Sequence, residues 1–306
     1  MKFSGIGGQA VMEGVMMRNK NKYAVAVRLT NNEINVDVKE EKVNLDTVNK
    51  IPIVRGMVTF IHSLYIGISS LMLSASYFEE EEDNKPKTKE EEKKAERKEK
   101  VEMGGTLIFS FVLALGIFVV IPFYLSKIFS MFIESASVIA LIEGIIRVLI
   151  FILYILLISK MEDIKRVFMY HGAEHKCINC IEHGMELNVE NVKLSSRLHK
   201  RCGTSFVFIV FLISVFVFMF IRMDSRALQL LCRILLMPVI AGISYEFIRA
   251  AGRSDSKIVD ALSKPGLMLQ KITTAEPDDD MIKVGIASVE AVFDWKQFLK
   301  DNEGDF

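Results

Sequence analysis

The segment YHGAEHKCINC, residues 170–180, concentrates side chains that can bind a metal ion. On a helix, His171, Glu174 and His175 share one face, because residues three and four positions apart lie about 5–6 Å from each other. Two imidazoles one turn apart can chelate zinc, and a neighbouring glutamate can act as a base towards water. His-x-x-Glu-His is the reversed zinc-peptidase motif. Gly172 makes the local helix less favourable by about 1 kcal/mol relative to alanine.

A third ligand must come from another part of the chain. The candidates are His183, His199 and Cys202. Four of the five histidines and three of the four cysteines fall within residues 171–202. This segment lies between two apolar stretches, so its two ends meet on one side of a membrane. The loop between these stretches can therefore bring His171 and His175 close to His199 and Cys202.

Other interpretations of the segment stay open. One is a polar network of histidines and glutamate beneath the membrane, without a metal. Cys177 and Cys180 form a Cys-x-x-Cys pair, but no second pair completes a zinc ribbon, and no thioredoxin-like strand precedes them. We expect a Zn²⁺ site with His171, His175 and His199 as ligands, Cys202 as a candidate fourth ligand, and Glu174 as the general base.

The composition indicates membrane segments separated by soluble ones. Of the 306 residues, 51% are hydrophobic and 25% are charged, and the formal net charge is zero. The absence of a net charge disfavours nucleic acid as a partner, whereas the concentrated apolar residues favour a lipid bilayer. Four stretches have the length of about 20 residues that a bilayer crossing needs. They are residues 105–125, 138–159, 203–221 and 227–248.

Residues 51–76 are apolar at helical spacing but carry interrupting charged and polar residues, so we expect an interfacial or re-entrant helix there. Eight Lys or Arg lie in residues 1–50 and eight in residues 160–202, whereas the join between the first two spans has only Lys127. The positive-inside rule therefore places both basic segments and both termini in the cytoplasm of a multi-pass plasma-membrane protein. The four cysteines fit free thiols in that reducing compartment.

The remaining segments have soluble composition. KYAVAVRLTNNEINVDVKE alternates apolar and polar residues on either side of Asn31-Asn32, which predicts a β-hairpin. TTAEPDDDMIKVGIASVEAV combines acidic residues with a following apolar stripe at helical spacing, which predicts a capped amphipathic helix of about four turns. A charged, low-complexity segment, residues 79–102, predicts a solvated linker or a frayed helix.

The predicted fold class is mainly α. We expect a polytopic membrane protein with about four transmembrane helices, an interfacial or re-entrant helix, and a small N-terminal α+β cytoplasmic module. The predicted parts, in chain order, are the N-terminal module with its hairpin (1–50), the interfacial or re-entrant helix (51–78), the charged linker (79–103) and a transmembrane hairpin (104–159). The His/Cys loop (160–202), a second transmembrane hairpin (203–248) and a cytoplasmic helical tail (249–306) follow.

Three ionisable residues fall within the predicted spans. Glu143 and Arg147 lie at i, i+4 and can pair, and Arg233 is a candidate second partner. Charged side chains inside a bilayer are costly and usually face the interior of a helix bundle. They indicate either a structural ion pair, with arginine reaching the membrane surface, or a polar cavity along a substrate path.

Six motifs spread along the chain are specific in combination. They are GGQAVMEGVMMR at 7–18, IPIVRG at 51–56, YHGAEHK at 170–176, ELNVENV at 186–192, HKRCGTSF at 199–206 and TTAEPDDDMIKV at 273–284. In these the chain resembles the YqhQ-like bacterial membrane proteins, a family of unknown function described as metal-dependent enzymes. The resemblance implies roles, by position, for His171, Glu174, His175, Glu182, His199 and Cys202. Lys200 departs from the family pattern, which has proline there and hence a different turn before Cys202.

The N-terminal motif has two interpretations. Its glycines, Gly7, Gly8 and Gly14, permit close backbone approach, and Glu13 and Arg18 can reach a polar site. Alternatively, the motif is a structural plug that packs against the cytoplasmic loop. It is not a phosphate loop, because the Gly-Lys-Ser/Thr ending is missing.

Two functions of different classes follow. The first is metal-dependent hydrolysis at a cytoplasm-facing zinc-type site, with an open substrate class. The second is a non-enzymatic factor for membrane-protein insertion, translocation or assembly, whose partners are other membrane proteins and whose His/Cys site is structural. Four protein ligands favour a structural site, and three ligands plus water favour catalysis. A transporter would need a continuous polar path through the spans.

Overall fold

The computed structural model describes residues 2–41, 50–79, 89–221, 223, 225–251 and 257–304. Within these residues it has four strands, β1 Ile6–Val11, β2 Gly14–Asn19, β3 Lys22–Arg28 and β4 Ile34–Glu40. The helices are α1 Val54–Glu79, α2 Lys89–Leu115, α3 Ile121–Ile128, α4 Ala136–Ile158, α5 Glu162–Glu182, α6 Val189–Leu194, α7 Gly203–Phe218, α8 Arg226–Ala251, α9 Lys257–Thr273, α10 Asp279–Val292 and α11 Trp295–Asp301. The predicted fold class, mainly α with a small N-terminal sheet, is confirmed.

The chain divides into two compact units. The first comprises Met1–Phe78, Ile155–Val210 and Pro238–Phe306, and the second comprises Glu79–Tyr154 and Phe211–Met237. Part of the predicted charged linker, residues 80–88, lies outside the described residues, and the part from Lys89 onward is helical. Residues 42–49 of the predicted N-terminal module and 252–256 of the predicted tail also lie outside them.

The N-terminal sheet of the first unit is an antiparallel meander in the order β1-β2-β3-β4. The predicted hairpin at Asn31-Asn32 is confirmed as β3–β4, with Arg28 opposite Ile34. Asn32 has a φ of 66°, a left-handed conformation that asparagine tolerates well. The β1–β2 hairpin, which contains the motif at 7–18, was not predicted because its residues do not alternate as a half-buried strand does.

The sheet is covered by helices on both faces. Val11, Met16, Val25 and Val27 pack with Ile66 of α1 on one face. The other face packs against α5 and α10 in a second core cluster, which includes Val15, Met17, Ala173, Ile178, Ile282 and Val289. Alternating side chains of one strand thus enter different cores, which fixes the strand register.

The predicted amphipathic helix near the C-terminus is confirmed as α10. Its N-cap is Asp278, whose carboxylate accepts a hydrogen bond from the backbone N–H of Met281 at 2.8 Å. Ile282 and Val289 are fully buried against the sheet. The helix is therefore part of the core of the first unit.

Helix α1 contacts the sheet along most of its length. The carbonyl of Gly67 accepts a hydrogen bond from Gln9 at 2.8 Å, and Ser74 accepts one from the backbone N–H of Met12 at 3.1 Å. Tyr77 binds Asp37 of β4. The opposite side of α1 exposes a row of large apolar side chains, namely Ile61, Leu64, Tyr65, Ile68, Leu71 and Met72.

Among the described residues, four helical segments are long and apolar enough to cross a membrane: Val54–Phe78, Val101–Met131, Ala136–Ile158 and Ala227–Ala251. The last three coincide with predicted spans. The third predicted span, 203–221, instead forms the 16-residue helix α7, which is shorter than a full crossing usually needs. The segment 51–76 was expected to lie at the interface, but α1 also has the length of a span, so the interfacial placement stays a prediction.

The second unit contains a buried cluster of charges. Glu143 Oε1 accepts a hydrogen bond from Arg147 at 2.8 Å, and Glu143 Oε2 binds Arg233. The predicted i, i+4 pair and its second partner are thus confirmed. All three side chains are buried, so neither arginine reaches the surface as one interpretation required.

A π-helical turn, Gly116–Val120, completes this cluster. Such a turn releases a backbone carbonyl from the regular α-helical ladder. The carbonyl of Phe118 accepts a hydrogen bond from Arg147 Nε at 2.9 Å, and Ser214 Oγ accepts another from Arg147 at 2.6 Å. Arg147 is therefore satisfied by three separate acceptors in the membrane-type helices of this unit.

Candidate metal centre

Helix α5 supplies three of the predicted site residues. It begins after Met161, which has an extended backbone, and carries Glu162 and Asp163 in its first turn, where carboxylates interact favourably with the helix dipole. The helix predicted for the motif is confirmed. The motif residues His171, Glu174 and His175 therefore share one face of α5.

Gly172 permits a close contact between α5 and the TTAEP segment, residues 273–277. A Cβ atom at Gly172 would lie 2.0 Å from the carbonyl oxygen of Ala275. The backbone N–H of Ala275 donates to the carbonyl of Phe168 at 2.8 Å. The glycine that weakens the helix thus lets this segment reach the site.

The structure brings His171, His175 and Cys202 into one group. One ligand atom from each residue lies within 4.8 Å of the other two, and His171 Nε2 is 3.3 Å from Cys202 Sγ. Cys202 directly precedes α7, and its Sγ accepts a hydrogen bond from the backbone N–H of Thr204 at 3.4 Å. Free N–H groups at the start of a helix favour the thiolate form of such a cysteine.

Backbone carbonyls orient the two histidines. Nδ1 of His171 donates to the carbonyl of Thr273 at 2.9 Å, and Nδ1 of His175 donates to the carbonyl of Arg197 at 2.7 Å. A carbonyl oxygen only accepts, so this geometry assigns a proton to Nδ1, and Nε2 of each ring is the atom that could bind a metal once it is deprotonated. Metal-ligating histidines use the same arrangement.

Helix α9 positions two segments of the site. Gln270 is fully buried, and its side chain accepts from the backbone N–H of His199 at 2.8 Å and donates to the carbonyl of His199 at 2.7 Å. Thr273 ends the same helix and holds His171. Sequence reasoning missed Gln270, and its position just before the TTAEP segment was the only signal for it.

Cys202 and the histidines stabilise opposite charges on each other. Burial by itself would raise the pKa of the Cys202 thiol, but His171 and His175 outweigh burial and hold that pKa well below its ordinary value. Burial would likewise lower the pKa of His171, but the Cys202 thiolate raises it to about 9. The group therefore holds a thiolate, the form in which cysteine binds metals.

The dimensions of the group fit a zinc ion. Zinc binds nitrogen at about 2.0–2.1 Å and sulfur at about 2.3 Å, so tetrahedral ligand atoms lie roughly 3.3–3.7 Å apart. The distance of 3.3 Å from His171 Nε2 to Cys202 Sγ lies in this range. The 4.8 Å limit of the whole group exceeds it by about 1 Å, a small movement for side chains.

The structure does not bring His199 into this group. Its Nε2 donates to Glu182 at 3.3 Å, and its Nδ1 accepts from the backbone N–H of Arg201 at 3.4 Å. Both ring nitrogens are thus engaged, which is the physical reason for its separation from the other ligands. Glu182 also binds the Arg201 side chain and is fully buried. Glu182, one of the residues to which the family resemblance gave a role, therefore anchors His199.

Glu174 lies beside the proposed ligands. Its Oε2 is 3.7 Å from His171 Nε2, and its side chain is almost fully buried. A Cβ atom at Gly8 of β1 would lie 3.0 Å from Glu174 Cγ, so the glycine of the N-terminal motif allows the strand to approach the carboxylate. Glu13 of the same motif binds Arg166 of α5 at 2.5 Å. Both the close-approach and the plug interpretations of this motif therefore describe real contacts.

The remaining candidates lie apart from the group. Burial raises the pKa of the Cys177 thiol well above its ordinary value and that of Cys180 to about 11, so both stay protonated. They pack in the core between α5 and α10. His183 is hydrogen-bonded through Nδ1 to the carbonyl of Asn179 at the end of α5. Cys177 and Cys180 thus contribute to core packing, and His183 contributes a hydrogen bond at the end of the helix.

Comparison with known proteins supports the family resemblance that the motifs indicate. A family model described as "Protein of unknown function (DUF1385)" matches residues 51–295. The uncharacterized protein YqhQ of Bacillus subtilis (strain 168) is 33% identical over 308 residues, covering 97% of this chain and 95% of the relative. No solved structure matches the chain.

Proposed function

This chain belongs to the DUF1385 family of proteins of unknown function, and from that premise we propose that it is a membrane-bound, metal-dependent hydrolase. The proposed ligands are His171, His175 and Cys202, and the proposed metal is zinc. Zinc would supply Lewis acidity and lower the pKa of a water molecule in its fourth coordination position. The observation that carries the proposal is the convergence of two pre-oriented imidazoles and one thiolate beside a buried carboxylate.

Three protein ligands distinguish this proposal from a structural zinc site. Structural sites usually have four His or Cys ligands, whereas catalytic sites keep one position open. His199 is the fourth ligand that the sequence suggested, but its ring nitrogens face Glu182 and the Arg201 backbone. The ligand set that remains supports the catalytic class.

Glu174 is the proposed general base. Its carboxylate lies 3.7 Å from His171 Nε2 and is shielded from bulk solvent, which favours proton transfer within the site. Gly8 keeps the strand β1 close to this carboxylate, so water and substrate would have to approach from another side.

We place the site at the cytoplasmic face of the plasma membrane, with both termini in the cytoplasm. The excess of Lys and Arg in residues 1–50 and 160–202 supports this orientation. The site residues precede and follow apolar helices, which supports a position at the membrane surface.

Elemental analysis of the purified full-length protein tests the metal site. Wild type and the control His183→Ala, which alters the exposed histidine that caps the C-terminus of α5 outside the group, should bind about one metal ion per chain. His171→Ala, His175→Ala and Cys202→Ala should each lower metal affinity at least tenfold, since even the loss of an outer partner costs 10–100-fold. Equal metal content in all five proteins would reject the site.

Glu174→Gln tests the catalytic role. The variant should keep its metal but lose the chelator-sensitive hydrolysis of a panel of amide, carboxylic ester and phosphodiester substrates. If cells carrying Glu174→Gln behave like wild type while Cys202→Ala cells do not, the second candidate function is favoured. That function is an insertion, translocation or assembly factor with a structural metal, acting on other membrane proteins.

A further inference from the structure

A second site-like feature of the first unit is a cavity of about 390 Å³. Strand β1 borders it on one side, and helices α1 and α8 border it on another. Such a volume is within the range of small-molecule sites. The proposed metal ligands do not line it, but it borders the metal centre, because Gly8 lies between the cavity and Glu174 and Arg201 directly precedes Cys202.

The cavity is strongly cationic. Arg18, Lys20, Arg201 and Arg249 line it, and none of the lining residues is an aspartate or glutamate. Arg18 binds Glu41, and Arg201 binds Glu182. Within the part of the chain that the structure describes, neither Lys20 nor Arg249 forms an ion pair within hydrogen-bonding distance, although Arg249 acts electrostatically on Glu246, which Arg55 already binds. Two positive charges are therefore available to an anionic ligand.

The lining also offers hydrogen-bond donors. β1 is an edge strand, and Gly5, Gly7 and Gly8 contribute their backbone to the cavity without a covering side chain. A Cβ atom at Gly7 would meet no atom within 4 Å, so the backbone at Gly7 is open to a ligand. The hydroxyl groups of Thr59 and Ser63 lie on the α1 side. Cations combined with hydroxyl and backbone donors suit the oxygens of a phosphate ester.

The apolar part of the lining points to a lipid as the source of that phosphate. Ile66 of α1 and Ile248 of α8 contribute to the wall, and both helices have the length and apolarity of membrane segments. Tyr245, Ile248 and Arg249 lie in the last two turns of α8, where a membrane helix meets the headgroup layer. A free phosphate ion would leave these apolar side chains unused.

We propose that this cavity binds the phosphate headgroup of an anionic phospholipid. The phosphate oxygens lie against Lys20, Arg249 and the β1 backbone, and the acyl chains extend along the apolar surface of α8. This inference goes beyond the metal-dependent hydrolysis and does not require it, because it concerns other residues.

Lipid titration of the full-length protein in neutral detergent, followed by native mass spectrometry, tests the proposal. Wild type should retain one phosphatidylglycerol molecule in preference to a phosphatidylcholine of the same chain length. Each Lys or Arg near a membrane surface contributes enough that the double variant Lys20→Gln/Arg249→Gln should bind phosphatidylglycerol about 30-fold more weakly. The control Lys283→Gln/Lys300→Gln removes the same charge from exposed positions and should bind as wild type does.

Two further arms separate the alternatives. Inorganic phosphate should not displace the lipid at matched concentration, and displacement would show that the site takes a soluble phosphate, overturning the lipid assignment. Unchanged affinity in Lys20→Gln/Arg249→Gln would overturn the site itself. Cys202→Ala should bind phosphatidylglycerol as wild type does even if it loses its metal, so failure of the metal proposal and failure of this one are distinguishable.

Discussion

At the scale of single residues, the ring nitrogens of three histidines decide which of them can belong to the proposed metal centre. In His171 and His175, Nδ1 faces a backbone carbonyl and carries a proton, so Nε2 is the atom available to a metal. In His199, by contrast, Nε2 donates a hydrogen bond to Glu182. A difference in hydrogen-bond partners, invisible in the sequence, thus separates the proposed ligands from a supporting residue.

His199→Gln should therefore keep its metal. The glutamine amide can still donate to Glu182, so we expect about one metal ion per chain by elemental analysis, as in wild type. His175→Gln is the matched comparison on the same chain and should lose metal. Metal loss in His199→Gln, with an intact fold by circular dichroism, would return His199 to the ligand set.

Glu182 should make stability depend on pH. Burial raises the pKa of its carboxyl, but the hydrogen bond from His199 and the charge of Arg201 outweigh burial and lower it from 4.5 to about 2. This contributes about 3 kcal/mol to the free energy of unfolding, fully present above pH 4.5 and lost as the pH falls towards 2. The melting temperature of Glu182→Gln should lie well below that of wild type at pH 6–7, and the gap should narrow at pH 3.

The exposed Glu190→Gln serves as control for this titration and should follow wild type throughout. A gap between Glu182→Gln and wild type that is the same at pH 3 and pH 7 would show that ionisation of Glu182 is not its cause.

At the scale of elements, the packing of α5 against the TTAEP segment depends on the absence of a side chain at position 172. Helix propensity predicts that Gly172→Ala stabilises the protein by about 1 kcal/mol. The contact of 2.0 Å with the Ala275 carbonyl predicts the opposite, because a backbone group cannot turn aside as a side chain can. Overpacking typically costs about 1–3 kcal/mol, so we expect a net loss of stability and weaker metal binding.

Gly203→Ala is the matched control, since a Cβ atom there would meet no atom within 4 Å. Thermal unfolding should show a lower melting temperature for Gly172→Ala only. A stabilised Gly172→Ala variant would mean that the Ala275 carbonyl lies further from α5 than it does in this structure.

The buried charge cluster of the second unit should be sensitive to the loss of its carboxylate. Glu143→Gln leaves Arg147 and Arg233 buried without a counter-charge, and breaking a buried pair in this way typically costs about 3–5 kcal/mol. We expect a large decrease in melting temperature in detergent, whereas the exposed Glu134→Gln should have little effect. A stable Glu143→Gln variant would argue that water reaches the cluster, as a substrate path requires.

At the scale of the whole molecule, the sheet packed against α1 constrains how this helix can lie relative to the bilayer. Its length allows a crossing, but the sheet contacts α1 from His62 to Tyr77. A crossing would therefore carry polar strand edges and charged residues into the hydrocarbon, at a cost of several kcal/mol for each unsatisfied group. The physical argument favours an interfacial helix whose exposed apolar row enters the membrane surface.

Depth measurements test this placement. Single tryptophans at Ile61, Tyr65, Ile68 and Met72, in a Trp295→Phe background, should be quenched by brominated lipids at one shared shallow depth. A crossing helix rises about 1.5 Å per residue and would spread these positions over roughly 16 Å. A graded depth profile would therefore place α1 among the spans.

The sequence by itself determined the features that depend on local spacing. Local spacing sets the face shared by His171, Glu174 and His175, three of the four predicted apolar spans, the Asn31-Asn32 hairpin and the cap of α10. The pairing of Glu143 with Arg147 is of the same kind. In each case the interacting groups lie within one or two turns of each other in the chain.

Only the tertiary structure decided which distant groups meet. It showed that Cys202 faces the two histidines and that His199 turns to Glu182. It also showed that Gly172 admits the TTAEP segment and that β1 and β2 form a hairpin. These outcomes depend on hydrogen bonds to backbone carbonyls and on close backbone contacts, which leave no residue-type pattern. Spacing fixes the face that a helix presents, whereas packing fixes what that face meets.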